Sequence, residues 1–243
     1  MLAILADRRN RPQAAVWFRA FAAACGDADC LSAKGRQNHA VRFVQEHSHQ
    51  APHHATSCGM SRLPTPRREA LDPAAQAVWD RIAYGARGGV GGPFTALIFS
   101  PELCSRAEQL GVFIRYECSV PMRLRELAIL CVGQHWKADY EWFAHAPIAA
   151  KQGIPAGVIA AIGSGAATVP FDAEADAVVV NFVRSLLRTG QVPDAEYAAA
   201  QALLGDKGTV ELTGLVGYYS LLAMQLNTFQ IEPEPGVPIP WRA

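Results

Sequence analysis

Between Leu71 and Phe229 the chain carries helix signals almost without interruption, and that pattern constrains its fold more than any other feature. Asp72-Pro73 reads as a helix cap followed by proline at the first helical position. The helix it opens is expected to run toward Tyr84. Ser100-Pro101-Glu102 opens a second, expected to reach Cys118. Pro121 precedes a third, in which Leu124, Leu127, Ala128 and Cys131 recur at helical spacing. Asp139 begins a fourth, ending near Gly153, and further helices fit 155–162, 172–189, 194–204 and 208–229. Arg87-Gly-Gly-Val-Gly-Gly-Pro93 reads as a flexible connection. Strand alternation is nearly absent and no repeat of 20–50 residues is present. The fold class that follows is all-α. The proline-rich end, Pro233 to Pro240, is expected to run extended over the surface or onto a neighbouring subunit.

Composition changes near residue 60. The first 59 residues hold five of the seven histidines, and four acidic residues against seven Lys or Arg. One amphipathic segment there, Ala14 to Cys25, fits a short helix, and the rest lacks sustained periodicity. A metal-binding tail lacks a ligand framework, and a transit peptide fits poorly with the histidines and glutamines. The expected organisation is therefore an N-terminal extension over 1–59 and a helical domain over 60–243. Met60 and Ser-Arg-Leu-Pro after it form the lead-in to that domain, which by itself carries 15 basic and 18 acidic residues.

Several function classes are disfavoured. Lys plus Arg equals Asp plus Glu at 22 each, so no nucleic-acid or polyanion partner is implied. No apolar run reaches membrane-spanning length. The six cysteines, Cys25, Cys30, Cys58, Cys104, Cys118 and Cys131, form no Cys-x-x-Cys pair. Buried thiols in a reducing compartment fit that spacing, and a cytoplasmic location is expected.

Chemistry concentrates between Glu126 and His145. Glu141 and His145 lie four residues apart and share a helix face, and Glu126 sits on the helix before. Carboxylates beside an imidazole make an acid/base group usable near neutral pH. Each residue also has a plainer role. Glu126 can pair with Arg123 or Arg125, His145 can bond a backbone carbonyl in the core, and Glu141 can be a first-turn acid favoured by the helix dipole. Pro147 removes an amide from the helix and is expected to favour a kink near His145. His135 and Asp139, also four apart, could join Glu141 and His145 around a metal, but no closed ligand pattern exists, and the expectation is no metal and no cofactor.

Arg125-Glu126-Leu127-Ala128-Ile129-Leu130, Tyr140-Glu141-Trp142-Phe143-Ala144-His145, Ala149 and Gly153-Ile154 resemble the carboxymuconolactone decarboxylase family, which includes the alkylhydroperoxidase D-like proteins. Gly92-Pro93-Phe94 before Ser100-Pro101-Glu102-Leu103 resembles its pocket-lining segment. Leu215-Val216-Gly217-Tyr218-Tyr219 and Leu226-Asn227-Thr228-Phe229 resemble its final helix. The resemblance covers roughly residues 60 to 240. It implies an all-helical, alkylhydroperoxidase D-like bundle assembled as a homotrimer or homohexamer.

The peroxidase branch of that family carries a glutamate, then Cys-x-x-Cys, then a histidine. Laying Glu126 and His145 on that pattern puts Ala138 and Glu141 where the two cysteines belong. The thiol route to peroxide reduction is then chemically closed. The decarboxylase branch lacks the thiol pair, and resemblance to it implies a cofactor-independent carboxy-lyase acting on a small carboxylated lactone. Under that reading His145 donates or shuttles the proton, and Glu141 and Glu126 orient it or share the proton. Arg123 or Arg125 holds a substrate carboxylate, Tyr140 or Trp136 caps the pocket, and Pro93 and Phe94 line it. Two alternatives stay open: a peroxidase-like activity using Cys118 or Cys131, and a non-catalytic oligomer that binds a small ligand.

Overall fold

The computed structural model describes residues 61–242, which belong to one unit of the chain, Gly59–Ala243. The expected extension over 1–59, with its Ala14–Cys25 helix, lies outside the described residues. Among the described residues there are eight α-helices and no strand. They are α1 (Pro73–Tyr84), α2 (Phe94–Leu97), α3 (Pro101–Val112), α4 (Met122–Trp136), α5 (Asp139–Lys151), α6 (Ala156–Gly163), α7 (Glu174–Thr189) and α8 (Asp194–Phe229). A 3-10 turn, Arg68–Ala70, precedes α1. No helix among the described residues is long and apolar enough to cross a membrane.

The start of α1 follows from its sequence. The Asp72 side chain accepts from the Ala75 amide at 2.9 Å, and Pro73 fills a position whose amide would have no helical partner. Ala75, Val78 and Ile82 then fall on one buried face. The link after α1 is less open than expected, because Phe94–Leu97 forms one helical turn that buries Phe94, Ala96 and Leu97. A single turn leaves no periodicity to read.

The second expected helix changes character before Cys118. After Val112 the ladder loosens into a π turn, Phe113–Glu117, which the Cys118 amide closes onto the Phe113 carbonyl at 2.9 Å. Carbonyls near a helix end need other donors. Arg125 supplies them: its Nη1 donates to the carbonyls of Ile114 at 2.9 Å and Arg115 at 2.5 Å. The Cys118 thiol adds a bond to the Ile114 carbonyl at 3.1 Å.

Helix α4 is the central element. From Leu124 to Gly133 only Arg125 escapes full burial, as expected for a helix enclosed on all sides. It packs against α5, α7 and α8, whose buried Val179, Val183, Leu212 and Leu215 complete the core. Two residues, Lys137 in the left-handed conformation (φ 50°) and Ala138, reverse the chain into α5. Helix α5 continues through Pro147 to Lys151.

Helix α8 has the two arms that the sequence separates. At Gly205 the backbone turns to φ 68°, ψ 176°, a region that favours glycine, and the helix resumes beyond it. The carbonyls at its end are met by the first described residues. The Arg62 amide reaches the Phe229 carbonyl at 2.9 Å, and the Arg62 guanidinium reaches that of Thr228 at 2.9 Å.

The proline-rich end folds back onto α5 and α6. Ile239 is buried, the Trp241 ring stands edge-on to Trp142 with centroids 5.4 Å apart, and Arg242 pairs with Asp139 and Glu232. A Cβ on Gly163 would overlap both Pro240 and Trp142, so glycine lets this strap lie flat. An open apolar groove of about 690 Å³ runs between the strap and the α5–α6 pair, lined by Trp142, Ala146, Ile159 and Pro238 among others. None of Glu126, Glu141 and His145 lines it.

Candidate active site

The two-residue reversal after α4 makes α5 run back along it. That brings Glu126, from the first half of α4, opposite His145 in the middle of α5. The His145 Nδ1 and Glu126 Oε2 are 2.7 Å apart, and Nε2 lies 3.6 Å from Glu141 Oε2. All three residues are buried, each with 5% or less of its surface exposed. One imidazole therefore has a carboxyl group on each ring nitrogen. Buried ionisable groups incur a desolvation cost unless partnered, so this is not a surface ion pair read at short range. The plainer role for His145, a bond to a backbone carbonyl, is not the geometry observed.

The two carboxyl groups differ in their surroundings. Glu126 makes the short contact to Nδ1. Glu141 stands beyond hydrogen-bond length from Nε2, and burial pushes its carboxyl above the ordinary range, against the pull of His145, Arg115 and Arg87; Glu126 adds to the rise. This fixes the sign of a pH effect. A carboxyl whose folded pKa is raised binds its proton more tightly folded than unfolded. Its contribution to stability is complete below the ordinary value of about 4.3 and is lost as pH rises through the raised one. Glu141→Gln removes the charge while keeping the shape. The variant is expected to melt about 2–4 °C above the parent near pH 7, corresponding to about 1 kcal/mol, with the gap closing toward pH 4. Thermal melts across that pH range check it. A lower melting temperature at pH 7 would mean that the Glu141 charge is net favourable.

Around the three residues lies an aromatic and cationic wall. The buried Tyr219 ring stands edge-on to His145 at 5.2 Å, and Tyr218 stands edge-on to Tyr219 at 5.3 Å. Arg87 Nη2 donates to the Tyr218 hydroxyl at 2.9 Å, and the same guanidinium lies 4.2 Å above the Phe94 ring. Arg115, from the π turn, sits 5.6 Å from the Tyr116 ring. Burial works against the Arg115 charge, but Tyr219, Tyr116, Glu126 and Glu141 favour it, and the net effect holds it above its ordinary range.

The other candidate residues divide. Phe94 is buried beneath Arg87, and Pro93 beside it is also buried. Half-buried Tyr140 lies over Gly92, where a Cβ would overlap its ring, and stands edge-on to Phe143 at 5.9 Å. Burial, and then Glu141, pushes the Tyr140 phenol up. Trp136 ends α4, ten residues past Glu126 and about 15 Å along the helix. Its ring stands edge-on to His135 and its carbonyl accepts from Asn227 at 2.6 Å. Arg123 is held by Asp176 and Asp172, and Arg125 by the carbonyls of the π turn. Asp139 turns to the strap, accepting from Trp241 Nε1 at 2.7 Å. Sequence reasoning did not single out Arg87, Arg115, Tyr218 or Tyr219 as site residues. The tyrosines lay within the final-helix motif, but nothing in the spacing marked either arginine.

No protein-family model matches the chain, and no curated protein sequence does. Solved structures do match in shape. One is the alkylhydroperoxidase AhpD core of an uncharacterized peroxidase-related protein from Ralstonia eutropha JMP134. Its TM-score is 0.60 at 16% identity, over 72% of this chain and 93% of that one. Another is an uncharacterized peroxidase-related protein from Silicibacter sp. TM1040, with TM-score 0.61 at 14% identity, over 74% of this chain and 96% of that one. The fold is that of the AhpD core. At such low identity the likeness extends to the backbone arrangement alone.

Within this AhpD-like fold the described cysteines are Cys104, Cys118 and Cys131, all free and buried. Burial pushes the Cys104 and Cys131 thiols up to about 12, which disfavours the thiolate that peroxide chemistry requires. Ala138, fully buried, and Glu141 occupy the positions at which the resemblance places two cysteines.

Proposed function

We propose that the chain is a cofactor-independent carboxy-lyase acting on a small carboxylated lactone of aromatic-ring catabolism, and that it works as a homo-oligomer. The observation that carries the reading is the buried imidazole with a carboxyl group on each nitrogen, 2.7 Å and 3.6 Å away. In the reaction the carbon–carboxylate bond breaks, CO₂ leaves, and the electron pair passes into the conjugated lactone. A proton returned to carbon completes the balance. Glu126 accepts from Nδ1–H, which sets the tautomer and leaves Nε2 to exchange a proton on the Glu141 side. Glu141, biased toward its protonated form, replenishes that proton. Tyr219 holds the ring edge-on, and Tyr140, Pro93 and Phe94 shape the wall.

The test is CO₂ release from a panel of carboxylated muconolactones and related oxo-acids. Release above background from at least one member is expected; no release from any would overturn the reading. A second reading, thiol-dependent peroxide reduction, draws on the description of both structural neighbours as peroxidase-related. The two readings part on one variant. With all six cysteines replaced by alanine, CO₂ release is expected to stay within about twofold of the parent, because no thiol takes part in proton transfer. Peroxide consumption by the parent that disappears in this variant would favour the thiol reading instead.

A further inference from the structure

Decarboxylation requires that the carboxylate be held, and Arg123 is already spent on Asp172, Asp176 and the Gly153 carbonyl. Arg125 spends Nη1 on the two carbonyls that end the π turn, and its Nε is buried without a partner. Arg115 is different. Among the described residues its guanidinium makes no hydrogen bond and no ion pair; it rests against Tyr116 and feels the charges of Glu126 and Glu141. Arg87 spends one nitrogen on Tyr218, while its Nε is buried with no partner. An unpaired buried donor on a cation is costly, and a bound anion is the partner that removes the cost. Gly111 makes the arrangement possible, because a Cβ there would overlap both Arg87 Nη2 and the Tyr218 hydroxyl.

We infer that Arg87, Arg115 and the Tyr218 hydroxyl form the subsite that takes the substrate's carboxylate beside Glu141. The inference deepens the lyase reading and rests on it for the identity of the anion. Contacts tie Arg87 to the site: its Nη2 bonds the Tyr218 hydroxyl, the Tyr218 ring meets Tyr219, and the Tyr219 ring meets His145, while the charges of both arginines pull the Glu141 carboxyl down against its burial. The elements that meet there are the α1–α2 link with Arg87, the π turn with Arg115, α4 with Glu126, α5 with Glu141 and His145, and α8 with Tyr218 and Tyr219. Arg87 offers a buried Nε–H without a partner, and Arg115 a guanidinium outside any ion pair among the described residues, so both have donors left for an acceptor. A neutral lactone can offer these cations only ordinary acceptors, whereas a carboxylated one gains the stronger charge-assisted hydrogen bonds on both sides. The subsite therefore selects a free acid over its ester.

The experiment uses the full chain and paraconate, a saturated lactone carboxylate without the conjugation that decarboxylation uses, alongside its methyl ester. Calorimetric titration is expected to give saturable paraconate binding by the parent, with the ester at least about tenfold weaker. Arg115→Met is expected to weaken paraconate about 10- to 100-fold, the range of a lost charge-assisted bond, and Arg115→Lys to weaken it less. Tyr218→Phe, which frees Arg87 without removing its charge, should cost less than Arg115→Met. Melting temperatures near that of the parent establish that the variants are folded. If Arg115→Met does not fold, the comparison of acid with ester on the parent decides. Equal binding of acid and ester, no binding of paraconate at millimolar concentration, or an unchanged affinity in folded Arg115→Met would each overturn the subsite. Arginine-dependent binding without CO₂ release from any panel member would uphold the subsite and sink the lyase reading.

Discussion

CO₂ release by the His145→Ala protein is expected to fall roughly 10²- to 10⁴-fold, the usual contribution of a positioned acid/base group. Glu126 and Glu141 both address this one ring, at 2.7 Å and 3.6 Å, and no other histidine among the described residues serves either. Removing the imidazole leaves two buried carboxyl groups without the group that moves protons between them. The loss should fall on kcat rather than KM, because in the proposed lyase mechanism His145 serves the carbon being protonated and not the carboxylate being held. Alanine also leaves a cavity beside Tyr219, so a partly unfolded protein would mimic a catalytic defect. His145→Gln controls for this: it keeps the bulk and one donor toward Glu126 but moves no proton. Both variants should be slow, and His145→Gln should melt near the parent. Steady-state CO₂ assays with thermal melts decide, and a folded His145→Gln protein at the parental rate would overturn the mechanism. Glu126→Gln, which spares the imidazole but loosens its tautomer, should be slowed less.

How far the sequence led can be judged residue by residue. The helices were legible because proline sits at their boundaries: Pro73, Pro101 and Pro121 each open one, and the break between the arms of α8 falls at Gly205, inside the expected 204–208 gap. The grouping of Glu126, Glu141 and His145 was legible because a short link between adjacent helices forces them antiparallel. Three things were not. The Phe94–Leu97 turn has no period. The π turn at Phe113–Glu117 depends on how Arg125 meets its carbonyls from another helix. Arg87 and Arg115, the cations of the inferred subsite, stand on a glycine-rich link and on that π turn, so no local pattern pairs them with α5. Arg123 illustrates the reverse problem: its sequence position beside Glu126 suggested the substrate, while its partners come from residues about fifty positions away.

Arg123→Ala is expected to be the most destabilising single change in this region, by about 3–5 kcal/mol, which is the cost of leaving a buried charge unpaired. Asp176, with 1% of its side chain exposed, receives Arg123 Nη2 at 2.6 Å and Nε at 3.1 Å. The same guanidinium reaches Asp172 at 2.9 Å and the Gly153 carbonyl at 2.7 Å. One side chain thus ties the start of α4 to the start of α7 and to the turn after α5, and the melting temperature should drop by about 10 °C or more. Asp176→Asn in the same protein should recover part of the loss, since the uncompensated charge and not the missing contact dominates. Folded Arg123→Ala should keep its affinity for paraconate, because its partners, Asp172, Asp176 and the Gly153 carbonyl, are none of the groups around His145. Thermal melts and titration separate the two roles. A variant that melts like the parent yet loses the ligand would return Arg123 to the carboxylate and take that part from Arg115.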